Sequence, residues 1–218
     1  MVAESFDVHV ARSVPYYNET HRLIERLSDE FLSTGSRGYD LGCSTGALTA
    51  RLAARHRERA IELVGIDREP QMVAEARARC AAYPSVTIAE ADLTDFDLLP
   101  ADLVVAHYTL HFVPPDARGG VVERIAHALE RGGALLLFEK VKSPDPRLED
   151  LISELYHDWK RAQGYNDAEI AAKARSLEGV LEPFTPEQNR DLLTDAGFTK
   201  VTTIYRWLNW EGTLALAE

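Results

Sequence analysis

Short apolar runs alternate along this chain with stretches of helical spacing, and that alternation carries most of the expected architecture. Gly38–Leu41, Leu63–Asp67, Val86–Glu90, Leu103–Ala106 and Ala134–Glu139 read as strands. Between them Leu48–Arg55, Gln71–Ala82 and Ala117–Glu130 repeat apolar residues at three and four positions, which predicts helices. Strand and helix in this order predict a parallel sheet covered on both faces. The tail differs: a helix over Pro186–Ala196 stops at Gly197, and Lys200–Leu208 and Thr213–Ala217 flank a turn at Asn209-Trp210-Glu211-Gly212, which predicts an antiparallel hairpin. Residues 1–35, mostly helical from about Asn18, and 142–185, with a long helix over Leu148–Ala162, fall outside this plan. Ligands of such sheets bind beyond the carboxyl ends of the strands, so these two segments are expected to form a lid and set specificity.

A length of 218 residues suits a single domain spanning 1–218, and a hydrophobic share of 45% is enough for a core. The net charge of -11 argues against a nucleic-acid partner, because phosphate binding needs clustered cations. Arg51, Arg55, Arg57 and Arg59 are expected to be a solvated helix face. Met1–Arg12 lacks the apolar segment of a secretory signal, and no run approaches the roughly 18 apolar residues of a membrane span. The cytoplasm is the expected location, with a small molecule as the substrate and no membrane partner. Cys43 and Cys80 form no disulfide or metal pattern, and His107 and His111 lack a third ligand, so no metal is expected.

The chemistry starts at Tyr39-Asp40-Leu41-Gly42-Cys43-Ser44-Thr45-Gly46, followed by Val64-Gly65-Ile66-Asp67. Glycine at a strand-to-helix turn lets backbone approach a ligand, and the next helix offers free N–H groups. An acid about 20 residues further on can accept both hydrogens of a ribose diol. The turn is not Gly-x-Gly-x-x-Gly, so a nucleoside is favoured over a pyrophosphate. A plainer alternative stands beside it, in which glycine serves only the sharp turn and Asp67 only caps.

Asp40-x-Gly42-x-x-x-Gly46, Asp67 and Ala91-Asp92-Leu93 after the third strand resemble the class I S-adenosylmethionine-dependent methyltransferases over nearly the whole chain. The resemblance implies an α/β, Rossmann-like fold: a seven-stranded, mostly parallel sheet with a C-terminal antiparallel hairpin and a helical lid. It implies S-adenosyl-L-methionine as cofactor, with Asp67 on the ribose, Asp92 on the adenine amino group and the glycine turn beside the methionine part. The implied binding set is Tyr17, Asp40, Gly42, Cys43, Ser44, Gly46, Asp67, Arg68, Asp92, Leu93 and His107.

Arg12–Tyr17, Tyr108–Phe112, Glu139-Lys140 and His157–Tyr165 resemble, more narrowly, the carboxy-S-adenosylmethionine synthases. Those enzymes use prephenate to carboxylate the cofactor's methyl group, and they pair as dimers, which implies a homodimer here. The chain leaves the resemblance at His107, where that family has Asn, and at Ala174, where it has the Arg that holds the transferred carboxylate. Arg175 lies one step on, about 100° around a helix.

The reading that follows makes the cofactor its own substrate: its amino group attacks the γ-carbon, giving azetidine-2-carboxylate and methylthioadenosine. His107 is the expected base. Tyr17, Tyr108 and Tyr165 complete the catalytic set, and with Tyr156 they are expected around the sulfonium through cation–π contact. Methyl transfer to a small molecule stays open. So does carboxy-S-adenosylmethionine synthesis, with Arg175, Arg161 or Lys173 taking the anion. Glu139 and Lys140 are expected to pair as a structural ion pair, and His157 and Asp158 are candidates for the pocket wall.

Overall fold

The computed structural model describes residues 3–218; Met1 and Val2, which begin the expected lid, lie outside them. The strands are β1 (Arg37–Leu41), β2 (Glu62–Asp67), β3 (Val86–Glu90), β4 (Ala101–His107), β5 (Leu129–Lys140), β6 (Lys200–Trp207) and β7 (Trp210–Leu216). They form one sheet in the order β3-β2-β1-β4-β5-β7-β6. The first five run parallel, and β7 inserts antiparallel between β5 and β6. This is the seven-stranded plan the sequence implies.

The helices are α1 (Ala3–Ser13), α2 (Tyr17–Phe31), α3 (Ala47–Arg55), α4 (Pro70–Cys80), α5 (Arg118–Ala128), α6 (Pro146–Ala162), α7 (Asp167–Leu177) and α8 (Pro186–Asp195). Side chains of a strand alternate between faces, and the core divides accordingly. Val104, Leu135 and Leu137 pack with Val121, Val122 and Ile125 of α5 and Leu193 of α8. Leu103, Val105 and Leu136 face the other way, against Ile24 of α2 and Leu48 and Leu52 of α3. Both faces of the central strands are therefore buried, which explains their unbroken apolar runs.

Four expectations about the helices need correction. The helix expected over Ala117–Glu130 ends at Ala128, because Leu129 already pairs with Ala101 as the start of β5. Helix begins well before Asn18: α1 precedes a break at Val14-Pro15-Tyr16, where Tyr16 takes a left-handed φ of 56°. The lid segment 142–185 holds a second helix, α7, opened by a reciprocal Asn166–Glu169 capping box. The arginine face of α3 is tied down, with Arg51 bonded to Glu25 and Arg55 to Asp29 of α2.

The hairpin is corrected as well. Its turn is Leu208-Asn209, and Trp210, Glu211 and Gly212 belong to β7. Gly212 serves packing rather than turning, since a Cβ there would stand 2.4 Å from the ring of Phe138. Trp210 is thereby carried into the interior.

Candidate active site

A cavity of about 410 Å³ opens at the carboxyl ends of β1, β2 and β4, where the strand order reverses. Among the expected site residues, all but Gly46 and Tyr165 line it.

One end is built by the glycine turn and three acids. Gly42 has φ +70°, and a Cβ on it would sit 2.5 Å from the Thr109 side chain. Thr109 in turn donates through Oγ1 to the Leu41 carbonyl at 2.7 Å, pinning the end of β4 to that of β1. Gly46 instead lets α3 approach α4, because its Cβ would meet Ala76 Cα at 3.0 Å. Asp67 accepts from the Ser44 amide (2.8 Å) and the Glu69 amide (2.9 Å). A carboxylate has about four acceptor positions, so capacity remains for a diol. Asp92 accepts from the Thr94 amide (2.8 Å) and hydroxyl (2.7 Å), bonds that hold its carboxyl below the usual range. Arg68 approaches Asp92 at 3.9 Å. Asp40 is buried and accepts from Thr49 Oγ1 at 2.5 Å; burial, reinforced by the charge of Asp67, pushes it up to about 6.

The middle holds His107, at the end of β4. Its ring stands 5.2 Å from Tyr17, 4.8 Å from His21 and 4.2 Å from Tyr108, centre to centre. Burial, then the proximity of His21 and His111, keeps His107 well below an ordinary histidine pKa, so it is neutral at pH 7. His107 Nε2 lies 3.0 Å from Thr20 Oγ1. The single hydroxyl hydrogen of Thr20 goes to the Tyr17 carbonyl at 2.8 Å. Thr20 therefore accepts from Nε2–H, and this bonding pattern assigns the proton to Nε2 and leaves Nδ1 as an acceptor. His21 is buried too and lowered to about 3, chiefly by burial.

The lid end combines Tyr156 and Lys160 of α6, Lys173 of α7, Tyr108, and Trp210 of β7. Lys160 Nζ lies 4.7 Å from the centre of the Tyr156 ring. The Tyr156 hydroxyl donates to the Ser13 carbonyl at 2.6 Å, fastening α6 to α1.

Several expected residues lie elsewhere. Tyr165 is off the cavity wall; its hydroxyl sits 3.1 Å from His9 Nδ1 and 3.0 Å from Ser13 Oγ, so it ties the segment after α6 to α1. Arg161 is held by Asp158 (2.6 Å) and Asp167 (2.7 Å), and Arg175 is exposed and off the wall. Lys173, of the three cations considered, lines the cavity. His157 and Asp158 do not. Glu139 pairs with His111 Nδ1 at 2.7 Å rather than with Lys140, and takes the amides of Thr109, Leu110 and His111. His21, Lys160 and Trp210 are on the wall although sequence reasoning gave them no role. Lys160 carried a signal, since it sits in the lid segment that resembles the carboxy-S-adenosylmethionine synthases.

Residues 39–133 match the family model described as a methyltransferase domain. The carboxy-S-adenosyl-L-methionine synthase of Chromohalobacter salexigens is 40% identical over 221 residues, covering 100% of this chain and 82% of that protein. The protein of the same name from Wolinella succinogenes is 38% identical, over 96% of this chain and 88% of its own length. Among solved structures, an O-methyltransferase family protein from Burkholderia thailandensis superposes with a TM-score of 0.69 at 20% identity, covering 99% of this chain and 59% of its own. The CurJ carbon methyltransferase gives 0.65 at 18%, covering 90% and 54%. The structural likenesses speak to the fold.

Proposed function

We propose, from the premise that this chain belongs to the carboxy-S-adenosyl-L-methionine synthase family and is an S-adenosylmethionine-dependent enzyme of the class I methyltransferase fold, that it converts this cofactor to its carboxylated form with prephenate as carboxyl source. The overall balance moves one carboxyl group to the sulfonium methyl carbon. The methyl proton and the ring hydroxyl of prephenate leave as water, and phenylpyruvate remains.

The wall fits the cofactor. Asp67 and Asp92 keep acceptor capacity for ribose and adenine, and Gly42 lets the end of β1 close against Thr109 beside them. Bound there, S-adenosylmethionine supplies a sulfonium that activates the carbons attached to it. In this reading Asp67 orients the ribose, Asp92 the base, and Tyr17 and Tyr108 face the cation with their rings. His107 Nδ1 takes up the methyl proton and passes it to the departing hydroxide, giving water. The observation that carries the reading is the cavity's continuation from the acidic end into a lid end bearing Lys160 and Lys173, where an anion is favoured beside the sulfonium.

A second reading keeps the cofactor as sole substrate. The neutral, acceptor Nδ1 of His107 and the exposed Ala174 favour it. Here the amino nitrogen forms a bond to the γ-carbon, the γ-carbon–sulfur bond breaks with its electron pair staying on sulfur, and His107 accepts the amine proton. The products are azetidine-2-carboxylate and methylthioadenosine.

One incubation separates them. Purified protein is mixed with S-adenosylmethionine, with and without prephenate, and analysed by mass spectrometry. A nucleoside heavier by one carboxyl group, formed only with prephenate, is the expected product; methylthioadenosine accumulating in both mixtures without it would replace the first reading by the second.

A further inference from the structure

The lid end carries hydrogen-bonding capacity that the protein itself leaves unused. Trp210 is only 4% exposed, yet its indole Nε1 has no partner among the described residues. The Tyr108 ring meets the indole edge-on at 4.9 Å, with its hydroxyl turned toward Thr20 of α2. An indole N–H can only donate, and buried donors of native proteins are nearly always satisfied.

Positive charge gathers at the same place. Tyr156 lies 6.0 Å from Trp210 and has Lys160 Nζ at 4.7 Å and Lys140 Nζ at 5.6 Å from its ring centre. Lys173 comes from α7 onto the same wall. Burial, then the charges of Lys140 and Lys173, brings Lys160 down to about 8, while Lys140 has Glu149 as a counter-charge. Cations grouped in this way, beside an unpaired donor, are electrostatically complementary to an anion.

We infer that the Lys160 ammonium and the Trp210 indole N–H form a carboxylate-binding subsite at the lid end of the cavity. The inference deepens the carboxylation reading and rests on it for the identity of the anion. A flat carboxylate accepts from the indole N–H with one oxygen and from the ammonium with the other. The carboxylate belongs either to prephenate or to the group transferred from it.

Calorimetry on the full-length protein tests this without turnover. Three titrations are compared in wild type, Lys160→Met and Trp210→Phe: carboxy-S-adenosylmethionine, the unreactive cationic analogue sinefungin, and prephenate added to the sinefungin complex. Both variants should bind a carboxylate ligand about tenfold more weakly or worse while binding sinefungin within about twofold of wild type. Loss in the first titration assigns the subsite to the transferred group; loss in the third assigns it to prephenate. Trp210→Phe removes the donor while leaving an aromatic ring in place, so it decides the matter if Lys160→Met fails to fold. Equal weakening toward sinefungin, or no weakening toward either carboxylate, would overturn the subsite. Failure of the reaction itself looks different: wild type would make no carboxylated product, yet its affinity for carboxy-S-adenosylmethionine would still depend on Lys160.

Discussion

The two ends of the cavity are finished to different degrees. At the nucleoside end Asp67 is already held by two backbone amides and Asp92 by Thr94, and the glycine turn is braced by Thr109. At the lid end Trp210 keeps an indole N–H unpaired among the described residues, and the charges of Lys140 and Lys173 press on Lys160. A preorganised end binds with little rearrangement, whereas an end with unmet capacity discriminates, because the wrong ligand leaves buried polar groups unsatisfied. The first end is thus suited to holding the common nucleoside, and the second to deciding what reacts.

This contrast breaks most severely at its midpoint. His107→Ala should lower turnover by about 100-fold or more, the range of general-base loss, while sinefungin affinity measured by calorimetry stays near wild type. Unchanged turnover would remove His107 from the mechanism.

At the finished end, Asp40 carries a large pH effect. Its folded pKa of about 6 lies above the ordinary 3.8, so the folded state holds the proton more tightly. Its contribution is therefore fully favourable below the lower value and is lost as pH rises toward the upper one. At ~1.4 kcal/mol per pK unit this loss amounts to about 3 kcal/mol in the ligand-free protein. Asp40→Asn should be as stable as wild type near the acid limit and more stable at neutral pH by up to that amount. Urea unfolding across the range checks it, and parallel profiles would show that Asp40 does not titrate in this way.

Asp67→Ala should weaken sinefungin binding about tenfold to 100-fold, the worth of charged hydrogen bonds at one ligand edge. The lid lysines should not share that loss when probed with prephenate. Tyr165→Phe marks the low end. Losing its hydroxyl contacts to His9 and Ser13 should cost about 1 kcal/mol in thermal stability and leave kcat within about twofold, since the ring is off the cavity wall. A large drop in kcat alone would return Tyr165 to the catalytic set.

Legibility in the sequence follows the same divide. The nucleoside end is local: a turn and two strand ends, each with its acid or glycine in a short motif. Its strands read correctly because their apolar runs are long enough to be buried on both faces. The lid end is assembled from distant pieces, and periodicity does not say which of them meet. The sequence places Trp210 in a turn with Gly212, whereas that glycine makes room for Phe138 across the sheet. The capping box at Asn166 did mark α7 in the sequence, but its helix has few apolar positions to reinforce the signal. Gly46 and Tyr165 fit a motif and a lid segment, yet their neighbours decide that one packs and the other ties.

The hydrogen bond from His107 to Thr20 links two events that are otherwise separate. Thr20 belongs to α2, whose Tyr17 and His21 also wall the cavity, so the helix that encloses the reactants also chooses which imidazole nitrogen is armed. Were α2 displaced, the histidine would lose its enclosure and its tautomer preference together. On the proposed reading, enclosure thus acts as an interlock: Nδ1 of His107 is free to accept a proton only while α2 closes over it.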